Sequence, residues 1–155
     1  MPLLAEWLRR PHVAEWWGTP GSVTDLEEEY GPVIDGVSST RAYLAMVDAR
    51  PGGFIQVYTA VDHHAEGWWV EEDDPGVRGI DQFLADPADL GRGLGTTMVR
   101  AFVDTVFADP AVTRIQTDPD PGNGRAIRCY EKAGFRASHE VLTPDGPALL
   151  MYRDR

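Results

Sequence analysis

Leu90-Gly91-Arg92-Gly93-Leu94-Gly95-Thr96 is a glycine-rich turn between a segment at 77–84 that reads as a strand and a segment at 96–107 whose apolar residues, Met98, Val99, Phe102, Val103, Val106 and Phe107, recur at helical spacing. A strand, a glycine turn and a helix in that order form a seat for a pyrophosphate. The helix N-terminus offers unpaired N–H groups and partial positive charge, and glycine lets the backbone approach closely. Arg92 could add a cation. The spacing Gly91-x-Gly93-x-Gly95 is not the dinucleotide fingerprint, and no Gly-Lys-Ser/Thr follows to make a nucleotide-binding P-loop.

Working outward, the C-terminal half reads as a strand at 112–117, a loop at 118–122, a helix at 123–133 stopped by Gly134, a strand at 135–142, a Pro144-Asp145-Gly146-Pro147 turn and a last strand at 148–152. The N-terminal half is less regular. Residues 3–17 suggest one or two short amphipathic helices broken at Pro11, and 18–22 a loop. Thr24 and Glu27 suggest a capping box opening an acidic helix through Tyr30. Strands are expected at 42–47 and 54–61, joined by a turn at Arg50-Pro51-Gly52-Gly53, with a polar loop at 62–74 around Trp68-Trp69. Strands alternating with helices imply a mixed α/β sheet with helices on both faces.

Bulk properties narrow the function. A chain of 155 residues suits one domain, and 43% hydrophobic with 25% charged residues is a globular balance. No apolar run reaches the roughly 18 residues of a membrane span, and no leader is expected ahead of the first helix. With one cysteine, Cys129, no internal disulfide forms, and a cytoplasmic protein is expected. A net charge of -11 disfavours nucleic acid and anionic membranes as partners and favours a polycation.

The stretch Asn123-x-x-Ala126-x-x-x-Tyr130-Glu131-Lys132-Ala133-Gly134-Phe135 resembles the second coenzyme-binding motif of the GNAT superfamily of N-acetyltransferases. The glycine-rich turn then resembles that superfamily's pyrophosphate loop, with Leu90 where Gln or Arg is usual. The resemblance implies an open, mixed, mostly antiparallel sheet with a V-shaped splay between two central strands, and acetyl-CoA held in the splay. It implies that backbone amides from Gly91, Arg92, Gly93, Leu94, Gly95 and Thr96 hold the pyrophosphate. Asn123 would contact the pantetheine arm, and Tyr130 would protonate the departing thiolate, as a phenol can. The superfamily's usual first strand is missing: residues 1–4 already read as helix. Either the true start lies upstream or the domain works without that strand, and its absence would uncover a strand edge open to pairing.

Further stretches, Glu15-Trp16-Trp17-Gly18, Gly67-Trp68-Trp69, residues 74–82, Gln116-Thr117-Asp118-Pro119, residues 125–135 and residues 143–148, resemble the aminoglycoside 6'-N-acetyltransferases of the Ib type, over nearly the whole chain. An aminoglycoside carries several ammonium groups, so its site needs carboxylates beside an aromatic wall. Asp81, Asp118 and Asp145 lie at predicted strand ends or adjoining loops, and Glu66 with Trp68 and Trp69 could cover them. That family has Asp at the Glu66 position and a loop one residue shorter. By resemblance Asp81 is the first choice as base or amine-positioning residue, with Asp118 second, and a backbone N–H of Gln82 or Phe83 would meet the oxyanion. Asp145 before Gly146 also suits a turn. His63-His64 lacks the further ligands of a metal site, so no metal is expected. Cys129 lacks an activating base, so direct transfer in a ternary complex is favoured over an acyl-cysteine route. Monomer and homodimer both stay open. Two alternatives remain: a GNAT enzyme for another amine (a polyamine, siderophore precursor or protein N-terminus), and a coenzyme- or drug-binding module without catalysis.

Overall fold

A computed structural model of the chain describes residues 1–18 and 21–155. Three helices come first: α1 (Pro2–Leu8), α2 (Pro11–Trp17) and α3 (Val23–Ile34). Pro at the first position of α1 and α2 starts each helix where its missing N–H has no role. The expected loop at 18–22 falls partly outside the described residues. The capping box forms two residues earlier than expected: Ser22 accepts from the Asp25 N–H at 3.2 Å, and Asp25 accepts from the Ser22 N–H at 2.6 Å. α3 also runs past Tyr30, carrying Pro32 within it.

The sheet contains β1 (Arg41–Val47), β2 (Arg50–Thr59), β3 (Val77–Leu84), β4 (Arg114–Thr117), β5 (Arg136–Thr143) and β6 (Gly146–Asp154), in the order β1-β2-β3-β4-β6-β5. Only β3–β4 is parallel; the other pairs are antiparallel. The β1–β2 turn is not at 50–53. It is the two-residue loop Asp48-Ala49, with φ of 48° and 63°, the left-handed pair that a tight hairpin turn demands. The polar loop at 62–74 begins as a 3-10 turn, Ala60–Glu66.

α4 (Leu94–Val106) starts two residues ahead of its expected position, because Gly93 at φ +84° is its cap. α5 (Gly124–Lys132) is capped by Asn123, whose side chain accepts from the Ala126 N–H at 3.1 Å. Two buried clusters lie on opposite faces of the sheet. Trp7, Leu8, Val13, Leu26 and Tyr30 from α1–α3 pack on Phe54 and Phe83. Val99 and Val103 of α4 and Tyr130 of α5 pack on Ile80, Ile115 and Met151. Phe83 and Ile80 are an odd number of residues apart on β3, so their side chains point oppositely.

No strand precedes α1 among the described residues, and β1 forms one edge of the sheet, with Tyr43, Leu44 and Met46 exposed. Among the described residues no helix is long and apolar enough to cross a membrane.

Candidate active site

The parallel ladder between β3 and β4 is short. Its pairs are Val77↔Arg114, Arg78↔Ile115 and Gly79↔Gln116, and there it stops. β3 runs on to Leu84 against β2 alone, so the two central strands separate beyond Gly79. Extending the lost register by two residues sets Asp81 opposite Asp118 across the opening. β-sheet geometry therefore brings together two carboxylates 37 positions apart in the sequence.

A cavity of about 650 Å³ opens at this point. Asp81, Asp118 and Asp145 line it, as do Glu66, Trp68, Trp69, Gln82, Asn123 and Tyr130. Trp68 and Trp69 form a tilted pair, centroids 5.8 Å apart. Asp145 sits in the two-residue turn between β5 and β6, so it is both a turn residue and a cavity residue.

Burial pushes the Asp81 carboxyl above its ordinary range, opposed by the hydrogen bond it accepts from Gln56 at 2.9 Å. Asp118 is pushed up further, first by burial and then by the charges of Asp81 and Asp145. Asp81 and Asp118, crowded together in a low-dielectric wall, resist ionising together, and a cation relieves them.

Several cavity residues escaped the sequence reading. Gln56 and Tyr58 share one face of β2, opposite Asp81 and Gly79 in register. Tyr58 accepts from Trp69 Nε1 at 3.2 Å and so anchors the tryptophan loop to the sheet. Its ring occupies the space a side chain would take at Gly79: a Cβ there would meet the ring at 2.1 Å. Tyr30 also lines the cavity, accepting from Trp17 Nε1 at 3.0 Å. A glutamine inside the apolar run Phe54–Tyr58 was the one available signal.

The glycine-rich turn ahead of α4 has the open backbone expected of a phosphate seat. α4 has no side-chain cap, and the N–H groups of Leu94, Gly95 and Thr96 precede its first closing bond, Thr97 N to Gly93 O at 3.0 Å. Nothing lies within 4 Å of where a Cβ would stand on Gly91 or Gly93. Arg92 is less free than expected, because its guanidinium lies 3.4 Å from buried Asp89, which also takes Arg50 at 3.1 Å. The Phe83 side chain is core, stacked on Phe54 at 5.4 Å, which leaves only its backbone for the site. Beyond Gly79 the N–H groups of β3 that point away from β2 face the splay, which provides candidate oxyanion donors near Gln82 and Phe83. Partial burial raises the Cys129 thiol, and Thr96 Oγ1 donates to its sulfur at 3.6 Å; a thiol raised in this way is a poor nucleophile. No group of three or more metal-binding side chains occurs among the described residues.

An acetyltransferase (GNAT) domain family model matches residues 1–143. The chain belongs to this family. Aminoglycoside N(6')-acetyltransferase type 1 of Klebsiella pneumoniae is 51% identical over 158 aligned positions, covering 100% of this chain and 78% of the relative. A kanamycin resistance protein of Rhizobium radiobacter is 65% identical over 88 positions, 57% of this chain and 82% of that protein. The crystal structure of aminoglycoside acetyltransferase AAC(6')-Ib with coenzyme A and kanamycin superposes at a TM-score of 0.93 and 52% identity, covering 99% of this chain and 88% of that one. As a GNAT acetyltransferase the chain uses acetyl-CoA, and the uncapped α4 terminus fits its pyrophosphate.

Gly93→Asp tests that fit. Aspartate tolerates positive φ better than most residues and finds open space here, so the variant should fold. Its carboxylate would oppose the pyrophosphate at the helix N-terminus and should raise the acetyl-CoA Kd by about tenfold or more. Calorimetry on the folded variant checks this, and an unchanged Kd removes the loop from coenzyme binding.

Proposed function

We propose that the chain, as one domain over residues 1–155 working in the cytoplasm, transfers the acetyl group of acetyl-CoA directly to the 6'-amino group of aminoglycosides. The observation that carries this reading is the convergence of Asp81, Asp118 and Asp145 with the Trp68-Trp69 pair in one cavity at the splay. Carboxylates receive the ammonium groups and the tryptophans support the sugar rings. Asp81, oriented by Gln56, takes a proton from the 6'-ammonium so that a lone pair can attack the thioester carbonyl. Asp118 shares this task. A β3 backbone N–H meets the developing oxyanion, and Tyr130 donates toward the departing sulfur. Glu66 and Asp145 hold other ammonium groups of the acceptor. Asn123, whose Oδ1 caps α5, has its amide nitrogen left for the pantetheine arm.

An acetyl-CoA turnover assay on kanamycin, tobramycin, spermidine and a peptide panel tests the reading, with the product identified by mass spectrometry and NMR. One acetyl group on the 6'-amine is expected, and a drug with a 6'-hydroxyl should be spared. The acceptor KM should rise with salt, because screening weakens exposed ion pairs. Brisk turnover of spermidine or a peptide with none of any aminoglycoside overturns the acceptor assignment.

A further inference from the structure

Gln82 is half-buried on β3, beside the splay, and lines the cavity. Its side-chain oxygen, Oε1, is buried and has no hydrogen-bond partner among the described residues. The side chain shares the α4–α5 face of the sheet with Ile80 and Leu84, and Ile55 stands opposite it in register on β2. Asp81, one residue earlier, points to the other face. The neighbours of the Gln82 amide on its own face are thus apolar and buried. A buried acceptor without a donor destabilises a fold, and an apolar side chain of the same length would avoid that loss. No hydrogen bond fixes Oε1, and the terminal torsion of a glutamine is soft, so the amide can turn toward the cavity that the residue already lines.

The coenzyme's two anchor points frame this position. Leu84 lies two residues on, about 7 Å along the strand. Its Cδ1 is 3.8 Å from where a Cβ on Gly95 would stand, so it touches the first turn of α4, the pyrophosphate seat. Ile80, two residues before Gln82, belongs to the buried cluster that contains Tyr130. Gln82 therefore sits midway along a short stretch of β3 that runs from the phosphate end to the thioester end. Between those ends acetyl-CoA carries its pantetheine arm, an uncharged chain with secondary amides, and each amide offers a donor and an acceptor. Asn123 lines the same cavity, but its Oδ1 is taken by the Ala126 N–H, which leaves it only donors. Asn123 can thus serve a carbonyl of the arm and not an N–H. The unpaired oxygen of Gln82 is the acceptor that the arm still lacks.

We infer that the side-chain carbonyl of Gln82 accepts a hydrogen bond from an amide N–H of the pantetheine arm, complementing donation by Asn123 Nδ2. This role belongs to the side chain and is separate from that of the β3 backbone N–H at the oxyanion. It rests on the use of acetyl-CoA and not on the choice of acceptor.

Calorimetry on Gln82→Met and Gln82→Leu tests this, with acetyl-CoA, CoA and 3'-phosphoadenosine 5'-diphosphate, which lacks the arm, as ligands. Both variants should fold, because each removes the unpaired carbonyl, and the Tm of the free protein should equal or exceed that of wild type. The Kd of acetyl-CoA and of CoA should rise by about three- to tenfold, the scale of one hydrogen bond. The nucleotide alone should bind within about twofold of wild type. An acetyl-CoA Kd unchanged in both variants overturns the inference. So does an equal loss for all three ligands, which places the effect at the α4 terminus. A loss for acetyl-CoA without one for CoA also overturns it, because the amide would then meet the acetyl group and not the arm. A Tm below wild type in both variants marks the amide as a support of the fold and overturns its reading as a group that awaits the coenzyme. Failure of every aminoglycoside as acceptor would overturn the proposed function and leave these binding measurements as they stand.

Discussion

Asp81→Asn is expected to lower kcat for aminoglycoside acetylation by about 10²- to 10⁴-fold, the span of a lost general base, while acetyl-CoA affinity is unchanged. The substitution keeps the shape of the side chain and an oxygen that can accept from Gln56, so the β2–β3 register should persist. Only the charge and the basicity are lost. A second readout separates this from simple damage. Burial raises the Asp81 and Asp118 carboxyls in the folded protein, so their folded pKa values lie above the unfolded ones. Below the unfolded value both states are protonated and nothing is lost. As pH rises through the unfolded value toward the folded one, the unfolded chain ionises more readily, and stability falls. Removing either charge should therefore raise Tm at neutral pH while activity falls, and the Tm gain should vanish near pH 3. Asp118→Asn should follow the same pattern, with the larger Tm gain because its carboxyl is raised further. Paired kinetics and thermal melts check this. Wild-type kcat in Asp81→Asn removes it as the base, and a lowered Tm would mean that the carboxylate supports the fold.

The sequence was readable where one local pattern decides structure. The β3 bounds agree to the residue, and α4 and α5 differ by one or two positions at their caps. Local patterns failed where two signals compete. Pro51 and the glycines at 52–53 read as a turn, yet they lie in β2, while Asp48 and Ala49 take the positive φ values without a glycine. The ladder with β3 begins only at Gly53, and the register shift between Ala45 and Met46 accommodates Pro51 opposite Met46. The site residues taken from motifs, Asp81, Asp118, Asp145 and Tyr130, do line one cavity. Gln56, Tyr58 and Tyr30 were not foreseen, because their roles depend on strand register and on helix packing across the sheet. Nothing within β2 itself shows that Gln56 pairs with Asp81, or that Gly79 is small to admit the ring of Tyr58. His63 was weighed only as a metal ligand. Its place in the cavity, edge-on to Tyr58, is set by the 3-10 turn.

Tyr130→Phe is expected to lower kcat by about ten- to ten-thousandfold, with acetyl-CoA affinity nearly unchanged. Tyr130 is 3% exposed, its ring packs edge-on against Phe135 at 5.5 Å, and it also faces the cavity. Phenylalanine keeps that packing and removes only the hydroxyl, so folding should persist. Burial pushes the phenol well above its ordinary value, the charges of Asp81 and Asp118 add to the rise, and Thr117 opposes it. A phenol held this firmly protonated is always available as a donor. It is also a weaker acid than a thiol, so full transfer to a thiolate is uphill. Its effect then comes from a hydrogen bond to sulfur as the C–S bond breaks, which places the loss in the lower part of the range. The leaving group supplies the check. A thioester whose thiol is more acidic needs less help from a donor, so the wild-type to Tyr130→Phe rate ratio should shrink as thiol acidity increases. Measurements belong in single turnovers, where chemistry and not product release sets the rate. A ratio near one with acetyl-CoA removes Tyr130 from the leaving-group step, and a ratio independent of the thiol assigns it to packing or positioning.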